Sequence, residues 1–214
     1  MLVRALPLIA AFGPLIGIAV AYWLGASHEH LPACNQWLDG CTSISSTGRY
    51  PPGDRLFRAA LLPQAAWLIL TWYFTGLWLR SLLPGTRIDR LVLPLGFVGA
   101  VALVVYISYL ASNDPFYEVM KTWGIYFYFA GTALCQVAVS ASVPASRLRQ
   151  VMLWICVTPF ALGVFNLVQK ALLTDINSIE NRIEWVVSLL MQLWFITLYV
   201  AWRKTGFRVA VVAR

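Results

Sequence analysis

Few residues of this chain carry chemistry that can recognise or transform another molecule, and most of them interrupt long apolar runs. Asn166, Gln169 and Lys170 stand at i, i+3 and i+4, so on a helix they share one face. Glu184, Ser188 and Gln192, at intervals of four, form a second stripe, while Gln64 and Tyr106 are further polar groups in apolar surroundings. Removing an amide or hydroxyl from water without a partner costs roughly 2–7 kcal/mol on apolar-transfer scales, so such groups converge on one another, on water or on a ligand. Two readings follow: hydrogen bonds between helices, the ordinary glue of bundles, or a polar cavity whose contents supply the missing partners.

The familiar catalytic patterns are absent. There is no Gly-x-Ser-x-Gly elbow, Gly-rich phosphate loop, His-Glu-x-x-His pair or His-x4-Asp motif. The two histidines, His28 and His30, fall near Cys34 and Cys41, and two His with two Cys can bind zinc. A Cys34–Cys41 disulfide closing a short loop is the simpler reading, so neither metal nor cofactor is expected. Cys135 and Cys156 lie inside apolar runs and read as small packing residues. An enzyme built on this chain would use Glu184 as acid or base near the hydroxyls of Ser43 to Thr47; no base-activated nucleophile is legible, and the reading leans away from catalysis.

The elements that must hold these residues follow from composition. Of 214 residues 60% are hydrophobic and 12% charged, about half the charged fraction of a soluble domain. That excludes a disordered chain, a nucleic-acid-binding fold and a secreted disulfide scaffold. Six runs stand out: 5–24, 59–79, 91–111, 123–143, 151–173 and 185–202. At ~1.5 Å rise per residue even the shortest reaches ~27 Å, enough for the hydrocarbon layer. Period-two alternation is missing, which argues against a β-barrel. Leu24 stands where signal cleavage after Ala26 needs a small side chain, so the first run is read as a retained helix. The expected fold is a single all-α domain, a bundle of six transmembrane helices.

Charge gives the orientation. Residues 1–4, 80–90, 144–150 and the tail from Arg203 hold ten of the sixteen cations, Arg214 among them, with one acid, Asp89. Eight acids, Asp175 and Glu184 included, fall on the other side. Cations in short loops resist translocation, so both termini are expected in the cytoplasm of an inner, plasma or endomembrane. The polar positions of the later helices, with Gln64 and Tyr106, then share the outer half of the bilayer. Lys170 and Glu184, on consecutive helices, are expected to pair there. Gly13 and Gly17 suggest close helix packing, and Tyr22 an interface anchor.

One connection is long, the outer loop 25–58. Its hydroxyl-rich stretch up to Gly48 suits a tight turn, Pro52-Gly53 suits another, and Asp54 is placed to N-cap the second helix. The sequence Ser43-Ile44-Ser45-Ser46-Thr47-Gly48, with Pro51-Pro52 and then Phe57, resembles the first-loop signature of a six-helix family. That family holds the FGF-receptor-activating protein, the damage-regulated autophagy modulators and the yeast suppressor of phosphatidylinositol 4-kinase defects. The chain looks closest to the branch that remodels glycosylphosphatidylinositol lipid, including the N-terminal region of the yeast cell-wall-biogenesis protein. The large C-terminal domain of that yeast protein has no counterpart in these 214 residues, so the resemblance implies a membrane setting and lipid handling rather than a complete remodelling reaction.

The expected activity is binding or positioning of outer-leaflet lipid, assisting its remodelling or distribution. The cavity is expected to be roofed by the outer loop, with Arg49, Arg55 and Arg58 on lipid phosphate and Gln64, Tyr106, Asn166, Gln169, Lys170, Glu184 and Ser188 around the headgroup. The alternatives are a lipid acyl-transfer or hydrolase enzyme, or a scaffold whose basic face recruits a peripheral protein. The partners are therefore lipid and a possible membrane or peripheral protein, but not nucleic acid.

Overall fold

A computed structural model describes residues 2–85, 87–112, 114–172 and 177–209. Asp175, Arg214 and the end of the fifth apolar run at Leu173 lie outside the described residues. Every described element is helical. A single 3-10 turn, Leu2–Ala5, leads into α1, Leu6–Ser27. A four-residue turn of helix, α2, spans Ile44–Thr47 inside the outer loop, followed by α3, Gly53–Leu82, and α4, Asp89–Tyr109. The chain continues with α5, Pro115–Ser142, α6, Arg147–Leu172, and α7, Asn177–Lys204. Six of these helices are long and apolar enough to cross a membrane.

Several helices outlast their apolar runs. Hydropathy registers the stretch that must lie in hydrocarbon, whereas a helix continues into the interface wherever its end groups find partners. Asp114 supplies one such end: its Oδ1 accepts from Phe116 N at 2.8 Å, with Pro115 in the first helical position, so α5 starts eight residues before its run. Ser43 does the same for α2, accepting from Ser46 N at 3.2 Å. Asp54 departs from its expected role. The helix already begins at Gly53 with Pro52 at the cap, which places Asp54 in the first turn, where it makes no capping bond.

The six long helices close into a ring in the order α1, α3, α4, α5, α6, α7, with α7 returning against α1. Small residues set the tight seams. A Cβ at Gly17 would come within 2.2 Å of Ala60 Cβ, and one at Gly124 within 2.8 Å of Tyr106 N, so glycine is what lets α1 approach α3 and α5 approach α4. Trp72, Trp194 and Phe195 fill the centre, with ring centroids 5.4–5.7 Å apart. Arg4 Nε donates to Phe207 O at 2.7 Å, joining the two ends of the chain at one rim of the bundle, and Trp78 Nε1 of α3 donates to Thr205 Oγ1 at 2.9 Å. The opposite rim carries the outer loop.

One helix departs from this close packing. In α6 the buried residues are Met152 and Cys156, both in its first half, while Trp154, Leu167 and Leu172 are about 70% exposed. Beyond Pro159 the helix stands off from its neighbours, and a Cβ at Gly163 would meet nothing within 4 Å.

Candidate functional site

The outer loop is fastened to α7 before it forms any site. Cys34 and Cys41 are disulfide-bonded. The Tyr22 hydroxyl accepts from Cys34 N at 3.1 Å and donates to Cys34 O at 2.8 Å. Trp185 Nε1 donates to Thr42 O at 2.9 Å and Asn181 Nδ2 to Gly40 O at 2.8 Å. Gly40 has φ +62°, and its α-carbon approaches Ser178 O so closely that a Cβ would clash, two independent reasons for glycine there. With both sulfurs in the disulfide, the histidines serve otherwise: His28 Nδ1 lies 3.0 Å from Leu24 O, and His30 stacks on Tyr50.

Held in this way, α2 presents Ser45 to the bundle. Ser45 Oγ lies 3.4 Å from Glu184 Oε1, to which it donates, and 3.0 Å from the Tyr106 hydroxyl. The backbone N–H groups of Ile44 and Ser45 face the same carboxylate. The loop signature thus has a steric logic: Ile44 and Phe57 are buried, and a Cβ at Gly48 would strike Phe57 and Leu110 at 2.7 Å. Ser43 caps the turn, and the cis Pro51-Pro52 bond carries the chain into α3.

Two cavities meet at Glu184. The smaller, about 40 Å³, lies inside the ring between Tyr106, Tyr128, Ser188 and Gln192, with room for two or three waters. The larger, about 480 Å³, is a lateral groove where α6 stands away from α5. Ile125, Phe129, Ala130 and Ala133 of α5 form one wall, Pro159, Phe160, Gly163 and Asn166 of α6 the other, and Val187 and Met191 of α7 the floor. Its polar end gathers Ser45, Asn166, Glu180 and Glu184. Tyr126, Ala130, Phe160 and Gly163 along the groove are exposed, so it opens sideways towards hydrocarbon. An apolar trough with polar groups at one end has the shape of an amphiphile.

The polar positions singled out in the sequence are divided between three places. Asn166 and Glu184 line the groove, and Tyr106, Ser188 and Glu184 the inner chamber. Gln64 belongs to neither: its Nε2 donates to Ala10 O at 2.9 Å, fully buried at the α1–α3 seam, which is interhelical glue. Lys170 does not reach Glu184. It pairs with Glu180 at 2.5 Å, one turn earlier on α7, because α7 begins eight residues before its apolar run and brings Glu180 within reach first. Gln169 lines neither cavity, and its Oε1 is buried without a partner. Arg49 and Arg55 are exposed and Arg58 half-buried, all three outside both linings. Sequence reasoning missed the groove walls, Ala133, Phe160 and Gly163 above all, since hydropathy does not separate an apolar residue facing a groove from one facing lipid. Glu180 was visible only as a loop charge.

Residues 2–205 match the family model described as Frag1/DRAM/Sfk1/Cwh43P N-terminal domain. No curated protein and no solved structure matches the chain.

Proposed function

The chain belongs to the Frag1/DRAM/Sfk1/Cwh43P N-terminal domain family, and from that premise we propose that it binds a membrane lipid in the groove between α5, α6 and α7 and positions it for remodelling or redistribution. It is a polytopic membrane protein of a lipid-associated family. One observation carries the proposal: a cavity of about 480 Å³ opens towards hydrocarbon with a carboxylate and an amide at its head, whereas the hollow of about 580 Å³ between α3 and α4 is lined by no charged or amide side chain. The cation distribution and the disulfide favour the orientation in which the loop rim is outside and both termini are cytoplasmic, so that the groove opens to the outer leaflet. Arg49 and Arg55, exposed on the same loop rim, then stand available to lipid phosphate.

Native mass spectrometry of the purified protein tests this. Ala133→Trp, which fills the groove from the α5 wall, lowers co-purified lipid without loss of folded protein, whereas Leu134→Trp, on an exposed position outside the lining, leaves it unchanged. Undiminished lipid in well-folded Ala133→Trp overturns the proposal. The Ser45 hydroxyl beside Glu184 supports a second reading, acyl transfer or hydrolysis at that hydroxyl, which requires lipid turnover that Ser45→Ala abolishes.

A further inference from the structure

The head of the groove combines a carboxylate with an unpartnered amide oxygen. Glu184 lines both cavities, and among the described residues no cation lies within ion-pair distance of it. Arg182, the cation nearest in chain order, is exposed, and Lys170 is engaged by Glu180. Asn166, which lines the groove together with Glu184, has its buried Oδ1 without a partner. The Ser45 hydroxyl and the backbone N–H groups of Ile44 and Ser45 face the carboxylate, but none of them carries a countercharge.

A buried acceptor without a donor is costly, and a carboxylate withdrawn from water without a countercharge is more so. The occupant that answers this site carries positive charge and several N–H bonds. We infer that the groove selects a lipid whose headgroup ends in a primary ammonium, which pairs with Glu184 and donates to the unpartnered Asn166 oxygen. The inference rests on the groove being the lipid site. A quaternary ammonium has the charge but no N–H, and it would rely on ring faces such as Phe129 and Phe160 alone. A polyol has donors but no charge, and an anionic headgroup meets the carboxylate with the wrong sign.

The test uses delipidated full-length protein in detergent, offered equimolar phosphatidylethanolamine, phosphatidylcholine and phosphatidylglycerol with identical acyl chains, with retained lipid read by native mass spectrometry. The expected result is retention of the ethanolamine lipid about tenfold above the other two, the worth of one charge-assisted hydrogen bond. Glu184→Gln brings the three within about threefold while total lipid persists, because the trough is untouched. Asn166→Leu, which keeps the carboxylate, lowers the preference less and provides a second reading should the Glu184 variant fold poorly. Equal retention by the wild type, preference for the glycerol or choline lipid, or an ethanolamine preference undisturbed in both variants overturns the inference. Loss of all three lipids overturns the groove proposal with it; retention of all three alike overturns the headgroup assignment alone.

Discussion

The hydroxyl oxygens of Ser45 and Tyr106 lie 3.0 Å apart, tying the helical turn α2 to the C-terminal half of α4 across 61 positions of sequence. Since Ser45 donates onward to Glu184, Tyr106 is the donor in this bond, and three elements meet at one serine oxygen. The loop is therefore part of the bundle's interior rather than a lid resting on it.

Removing the phenolic hydroxyl leaves a half-buried serine oxygen short of a donor. Tyr106→Phe is expected to lower stability by about 1–3 kcal/mol, measured by denaturation in detergent. Ser45→Ala in the Tyr106→Phe background then loses only the bond to Glu184, so the double variant loses less than the sum of the two single losses. Fully additive losses would mean that the two residues do not interact.

The Lys170–Glu180 pair is expected to matter little for stability. Its side chains are 47% and 39% exposed, so water screens them, and a double-mutant cycle should return a coupling of about 0–1 kcal/mol that salt erodes. The same cycle on Lys170 and Glu184 should return none. A coupling there larger than the Glu180 one would restore the pairing expected from the apolar runs alone. Arg80 and Asp89 form the contrasting pair, with the Asp89 side chain 4% exposed, and Arg80→Gln is expected to lower the melting temperature more than Lys170→Gln.

Sidedness and redox state are tested together. A thiol reagent that cannot cross the membrane, applied to intact cells, should label Cys34 and Cys41 only after a reductant, while Cys135 and Cys156 stay protected by burial. Losing the bridge across a seven-residue separation is expected to cost roughly 2–3 kcal/mol, and the tie from Trp185 to Thr42 keeps the loop in place. Labelling without reductant would contradict the bridge, and labelling only after permeabilisation would invert the orientation.

What the sequence made legible divides along physical lines. The six spans were readable because crossing hydrocarbon demands long apolar runs, and the Cys34–Cys41 bridge because few cysteines were available to each other. The stripe Glu184, Ser188, Gln192 was readable from helical spacing, and all three do line the inner chamber. Partner identity was not readable. Gln64 resembles Asn166 in composition and depth, yet Gln64 is satisfied by a backbone carbonyl and Asn166 faces a groove, a difference made by which neighbour stands across each helix face. The pairing of Lys170 turned on where α7 begins, which depends on the helix end and not on hydropathy.

The openness of the groove gives a prediction through two glycines that look alike in sequence. At Gly17 a Cβ would fall 2.2 Å from Ala60 Cβ, so Gly17→Ala must push α1 from α3 and is expected to cost about 1–3 kcal/mol. At Gly163 a Cβ meets nothing within 4 Å, and a glycine inside a helix carries a penalty of roughly 0.5–1 kcal/mol relative to alanine. Gly163→Ala is therefore expected to hold or raise the melting temperature, with bound lipid unchanged because a methyl group scarcely narrows the trough. If Gly163→Ala destabilises as strongly as Gly17→Ala, then α6 packs closely along its outer half, the lateral groove is shut, and the lipid site must be sought elsewhere on the bundle.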